Sequence, residues 1–195
     1  SPNTRAWLPS EKWGLIFFIV LIMIGTSVSF VFLGFSPAAE SVKYNGITFV
    51  NNNNLWIAKI NGREAAFSFL PSDVENVFAF DDFAKLLQGK FEIDVTYDLN
   101  STYNQSIALG QYQMGLTLAA YNIYLRNGFT TNNTFNMPVI KCDDATFNVP
   151  VVYFRYGNAT SIHVEDNCVI AEASSNADFI KAKDRILYGI LGVIK

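Results

Sequence analysis

The sequence predicts an α+β protein in which an N-terminal transmembrane helix is followed by one mixed, largely antiparallel sheet with about three packed helices. Three observations predict it. An uncharged apolar run from Trp13 to Phe35 precedes everything else. Strand-type and helix-type periodicities then mix without strict alternation. The dipeptide Asn61–Gly62 between two apolar runs marks an antiparallel hairpin. The chain divides into a cytoplasmic tail (1–12), a transmembrane helix (13–35), a tether (36–45) and an extracytoplasmic α+β domain (46–195).

The anchor rests on length and chemistry. About 20 apolar residues cross a ~30 Å hydrocarbon core, and only a helix satisfies its own backbone there. Trp7 and Trp13 stand where interfacial aromatics belong, and Pro37 ends the helix. Arg5 and Lys12 on the near flank place the N-terminus in the cytoplasm. A cleaved signal peptide is the rival, with Ser36 and Ala38 as the small residues before a cut. Gly25 and Ser29 form a small-xxx-small pair that would let two anchors approach, although ordinary lipid-facing helix explains them equally. The bilayer is then a partner and the cell membrane the location.

After the tether, Gly46 to Val50, Leu55 to Ile60 and Arg63 to Phe69 read as strands. Pro71–Ser72 opens a helical or irregular stretch, with Ser72 and Glu75 in capping-box spacing. Asp81 to Leu87 reads as a short helix stopped by Gly89. Phe91 to Asp98 alternates as a half-buried strand, with Glu92, Asp94, Thr96 and Asp98 on the solvent face. Gln105 to Arg126 carries a 3.6-residue period and stops at Asn127–Gly128. A polar loop to Asn136 precedes four short strands, Val139 to Cys142, Val149 to Tyr156, Ser161 to Glu165 and Cys168 to Ala173. A final helix over 176–194 is capped by Ser175, with Asp178 three residues on. Its stretch Ile186 to Ile194 is apolar all round, so it is either sandwiched in the domain or covered by a subunit or a membrane surface.

Composition excludes some functions. Of the 195 residues 50% are apolar and 16% charged, with a net charge of −3, and no basic patch is dense enough for a phosphate backbone. Nucleic acid is therefore not expected as a partner. With 1 histidine and 2 cysteines, a zinc centre is not expected either, and no cofactor motif is present. Cys142 and Cys168 read as a disulfide, worth roughly 3–4 kcal/mol in the chain-entropy model, with two buried thiols as the alternative. Sequons at Asn100, Asn104, Asn132 and Asn158 follow the anchor and are candidate glycosylation sites.

Candidate chemistry is thin. The pairs Asp81–Asp82 and Asp143–Asp144 invite a carboxylate hydrolase reading, yet aspartates beside turns ordinarily serve local hydrogen bonding. The row Glu92, Asp94, Asp98 suggests a cation site, but a solvated strand face explains it more simply. His163 shares a strand face with Glu165, without a nucleophile in any family pattern.

Tyr44–Asn45–Gly46–Ile47, Leu55–Trp56, Phe69 to Val74, Cys142 to Thr146 and the stretch from Asn167 through Gly192 resemble uncharacterised archaeal single-pass membrane-anchored proteins. The resemblance implies an envelope location and no catalytic activity. The leading expectation is a non-enzymatic cell-envelope protein whose outer domain contacts other envelope proteins or itself. The alternatives are a sugar- or peptide-binding module with a cleft lined by Trp56 and tyrosines, and a hydrolase using Asp143 or Asp144.

Overall fold

Asparagine sets the first part of the fold. The computed structural model describes residues 40–79 and 83–194, all within the unit Glu40–Lys195. Strands β1 (Ser41–Tyr44), β2 (Ile47–Asn52), β3 (Leu55–Ile60) and β4 (Arg63–Phe67) form a four-stranded antiparallel meander in sequence order. Each connection is a two-residue turn with both φ angles positive: Asn45–Gly46 (47° and 83°), Asn53–Asn54 (51° and 64°) and Asn61–Gly62 (50° and 82°). That is the turn whose twist matches paired strands, and Asn and Gly enter it at least cost. The run Asn51 to Asn54 is therefore strand end and turn, and Ser41–Tyr44, assigned to the tether from sequence, is the first strand.

A second sheet corrects the expectation of one largely antiparallel sheet. The short helix α1 (Pro71–Val74), strand β5 (Phe78–Ala79), helix α2 (Phe83–Leu87), strand β6 (Glu92–Tyr97), helix α3 (Asn104–Ala120) and strand β7 (Tyr124–Phe129) follow in turn. Then come a 3-10 turn (Cys142–Asp144), β8 (Val151–Tyr156), β9 (Ser161–Glu165), β10 (Cys168–Ala173) and helix α4 (Asn176–Ile190). The second sheet runs β5-β9-β10-β8-β6-β7, and only the β9–β10 pair is antiparallel.

The parallel pairing comes from a helix that ends sooner than expected. Asn122 adopts φ 60° just past the end of α3. Ile123 N–H donates to Leu118 C=O at 3.0 Å, and Asn122 N–H to Ala119 C=O at 3.1 Å. This is a Schellman stop with Asn in the glycine position. Tyr124–Phe129, expected as helix tail and its stop, instead returns as a strand parallel to β6. The segment Val139 to Cys142 makes only an isolated bridge, Val139 to Phe129, before the 3-10 turn.

Helix α4 lies between the two sheets. Its N-cap Ser175 accepts the Asp178 N–H, as the sequence indicated, and Gly192 (φ 74°) closes its end. Tyr188 is fully buried, stacking on Phe67 at 4.1 Å and meeting Phe49 edge-on at 6.1 Å, while Phe179, Ala182 and Ile186 join the same core as β10. The burial extends to charge. Lys183 is 1% and Asp184 0% exposed, and they form an ion pair. Asp184 Oδ2 also accepts the N–H groups of Ser68 and Phe69, each at 2.9 Å, which fastens the end of β4 to α4. On the opposite face of the second sheet, Val151, Cys168 and Ile170 pack with Ile140 into a smaller cluster, sealed by the Cys142–Cys168 disulfide.

The expected transmembrane segment (13–35), with the tail before it, lies outside the described residues. Among the described residues no helix is long and apolar enough to cross a membrane. The longest of them, α3, has 17 residues, about 26 Å of helix, and carries Asn104, Gln105, Gln111 and Gln113 along it. The membrane-anchored reading is withdrawn accordingly. With it go the resemblance to archaeal anchored proteins, the envelope role, the bilayer as partner, and the single-pass location with its assigned orientation.

Candidate functional site

The main recess runs along the outer side of β7, the edge strand of the second sheet. It is an open groove of about 460 Å³, lined on one side by Gln111, Tyr112, Gly115 and Ala119 of α3 and on the other by Tyr124, Leu125 and Asn127 of β7, with Asn122 and Ile123 between. A second recess of about 230 Å³ continues it toward Met137 and Phe129 and shares Gln111, Tyr112 and Asn127. No lining residue of either recess is charged.

Local sequence explains the groove. Gly115 and Ala119, one helical turn apart, give α3 a shallow side where larger residues would close on β7. A Cβ added at Gly115 would meet Leu125 Cδ2 at 3.7 Å, ordinary contact, so the space is real and not a forced approach. Helix α3 is apolar inward, through Ile107, Met114 and Leu118, and also outward, where Leu109 (51%), Tyr112 (65%) and Leu116 (58%) stay exposed. Tyr124 (63%) extends that surface at the opposite lip. Gln111 stands apart: it is 5% exposed, and its Nε2 has no hydrogen-bond partner. Leaving a buried donor unpaired costs about 1–3 kcal/mol, so such a group calls for an explanation.

The edge of β7 is itself half used. Tyr124 N–H donates inward to Phe91 C=O, and Thr130 N–H to Tyr97 C=O. Phe129 N–H points outward to Pro138 C=O at 3.0 Å, and Phe129 C=O accepts from Ile140 N–H at 2.9 Å. With the period of two in a strand, the backbone groups of Leu125 and Asn127 share the outward direction of Phe129. The chain's own segment 138–140 covers Phe129 and then departs, because Asn136 (φ 56°) breaks its extended path before Asn127 is reached.

A third cleft, about 310 Å³, lies beside the disulfide and is lined by Thr130, Lys141, Asp143, Tyr153, Arg155 and Glu165 among others. Two of its charges have partners already. Arg155 binds Glu172 at 2.8 Å, and Glu165 lies 3.5 Å from His163 Nε2. Burial raises the Tyr153 hydroxyl above its ordinary pKa, which keeps it neutral. Of the pair Asp143–Asp144, only Asp143 lines the cleft, while Asp144 accepts the Lys141 N–H at 2.8 Å. The structure does not converge these two carboxylates, and Asp81–Asp82 lies outside the described residues.

The acidic row resolves differently from its solvated reading. Asp94 is 1% exposed and takes a two-pronged contact from Arg126, Nε to Oδ1 at 2.7 Å and Nη2 to Oδ2 at 2.5 Å, with Glu92 at 3.5 Å. The hydrogen bond to Asp94 raises the Arg126 pKa further. Asp98 caps a turn by accepting the Asn100 N–H. Among the described residues no group of three or more His, Cys, Asp or Glu is placed to hold a metal ion. Trp56, expected beside a cleft, is half-buried against the main core, and the tyrosines that line the main recess are Tyr112 and Tyr124. Cys142 and Cys168 are bonded as expected. Asn100, Asn132 and Asn158 are exposed, whereas Asn104 is the partly buried first residue of α3.

Sequence reasoning missed the groove because its two walls were read as one helix. The signal available was Asn122 followed by Ile123, the pattern of a helix stop with an apolar residue after it. No family model matches the chain, no curated protein matches it, and no solved structure matches it.

Proposed function

We propose that this domain is a non-covalent binding module whose recognition site is the groove between α3 and β7, and whose ligand is uncharged. The observation that carries the reading is Gln111: a buried amide donor without a partner, lining both recesses of one groove. A ligand oxygen placed there would recover the hydrogen bond that the free domain forgoes. The neutral lining supports an uncharged ligand, because a charge entering the groove would lose water and meet no counter-charge.

The test pairs stability with binding. Gln111→Leu removes the unpaired donor, so the variant should be as stable as the parent or up to about 1 kcal/mol more stable in urea unfolding. Gly115→Leu fills the groove from a helix interior where glycine is unfavourable, by about 1 kcal/mol relative to the best helix formers. A mixed library of neutral peptides and neutral oligosaccharides is screened on the full chain by ligand-observed NMR. Both variants should fold and lose the binders found on the parent. Binders that survive both substitutions, or a parent that retains nothing, would reject the groove as the site.

A further inference from the structure

The groove has a directional feature that narrows its ligand class. Its floor is the free edge of a β-strand, and the outward backbone groups of Leu125 and Asn127 repeat at the two-residue spacing of a ladder. The same edge already pairs with extended chain at one point, since segment 138–140 bridges Phe129 in parallel register and exchanges two hydrogen bonds with it. Space and geometry for strand addition are thus present in the molecule. The groove beside Leu125 and Asn127 is where that pairing would continue if Asn136 did not turn the chain away.

Resting on the groove as the recognition site, we infer that the ligand is an extended, uncharged polypeptide segment that adds to the outer edge of β7. Its backbone exchanges hydrogen bonds with Leu125 and Asn127. Its alternate side chains on the helix side enter the groove against Gly115 and Ala119, beside the exposed ring of Tyr112. The Gln111 Nε2 is then the donor for a polar atom of the inserted segment. Uncharged side chains are required because both recesses lack any charged residue, and Arg126, the one charge on β7, is engaged with Asp94 on the opposite face. A neutral saccharide would suit the tyrosines and amides, but its hydroxyls do not reproduce the donor–acceptor repeat of the strand edge. Strand addition of this kind draws affinity from the main chain and specificity from alternate side chains.

The probe is a pool of uncharged heptapeptides that alternate apolar and neutral polar residues, offered to the full chain with amide exchange read residue by residue. On binding, the Leu125 and Asn127 amides should slow by at least about tenfold, while Tyr124 and Arg126, which face β6, change little. N-methylation of the bound peptide at alternate residues should weaken it by about tenfold on the pairing edge and leave it unaffected on the other. Asn127→Pro, which removes an outward N–H without touching the β6 ladder, should bind more weakly than Asn127→Ala.

Peptides that bind without slowing Leu125 and Asn127, or that tolerate N-methylation at every position, overturn the inference. An oligosaccharide that is displaced by Gly115→Leu while no peptide binds overturns it too, yet keeps the groove as the site. Failure of every probe to respond to Gly115→Leu overturns both.

Discussion

Replacing Asp184 by alanine tests whether α4 is held by charge as well as by apolar packing. The carboxylate is fully buried, pairs with the equally buried Lys183, and accepts two N–H groups from the end of β4. Alanine leaves an ammonium in the core without its counter-ion and two backbone donors without acceptors. Removing one partner of a buried pair costs about 3–5 kcal/mol, a large share of the roughly 5–15 kcal/mol that stabilises a domain. For a domain of this size that is a fall in melting temperature of roughly 6–20 °C. Burial raises the Asp184 pKa, against the lowering exerted by Lys183 and the two N–H groups. The cost should therefore come from the stranded lysine more than from loss of attraction. The double variant Lys183→Met with Asp184→Asn removes both charges and keeps a side-chain acceptor for Ser68 and Phe69. It should recover most of the lost stability, as neutral replacement of buried pairs commonly does. Urea unfolding followed by far-UV circular dichroism gives the four corners of the cycle. A single Asp184→Ala variant within 1 kcal/mol of the parent, as a rough threshold, would refute the account.

Gly189→Ala should destabilise by about 1–3 kcal/mol, because its Cβ would fall 2.7 Å from the Phe83 ring inside the α2–α4 contact; differential scanning calorimetry measures it. Serine at both Cys142 and Cys168 should cost about 3–4 kcal/mol in the chain-entropy model. In exchange measurements that loss should appear first in segment 138–145, with β1–β4 unaffected. Burial raises the hydroxyl pKa of Tyr97, Tyr121, Tyr153 and Tyr188 above the ordinary value of about 10. Above that pH the unfolded chain releases protons that the folded chain keeps. Their stabilising contribution is thus whole below about pH 10 and declines as pH rises further. Melting temperature should fall over that range, with tyrosinate absorbance of Tyr188 appearing only on unfolding.

Local rules were enough for much of the architecture. Asn61–Gly62 fixed a hairpin, Ser175 with Asp178 fixed a helix start, and the strands Leu55–Ile60, Ser161–Glu165 and Cys168–Ala173 have the bounds that alternation and turn residues indicated. The misreadings share a cause in non-local pairing. Asp94 looked solvated because its partner, Arg126, is 32 residues away and meets it only through the parallel register of β6 and β7. Alternating strands suggested antiparallel neighbours, yet β6 is buried on both faces, since helices cover one and segment 138–145 helps cover the other. Asn127–Gly128 resembled a helix stop, whereas Gly128 is needed for close approach: a Cβ there would lie 2.6–2.7 Å from Ile140. The candidate site depended on all of these errors together, so its residues could be named from sequence but not assembled.

How a protein treats its sheet edges bears on the function proposed. Unpaired strand edges invite association with other chains, and native proteins ordinarily shorten, charge or cover them. Three of the four edges among the described residues follow that practice. Strand β1 has 4 residues and carries Lys43; β5 has 2; and β4 begins with Arg63–Glu64 and gives a carbonyl, that of Ala66, to Thr117 of α3. Strand β7 has 6 residues, and only its far end is covered, by 138–140. Its single charge faces Asp94 on the sheet's other side, so nothing on the outer edge repels an incoming strand. A chain that guards three of these edges and leaves the fourth neutral, grooved and bordered by exposed Tyr112 and Tyr124 carries there the cost of an aggregation-prone edge. Glutamine at position 111 adds to that cost, since leucine would serve the fold at least as well. Both features cease to be costs if the edge and the amide meet the same ligand.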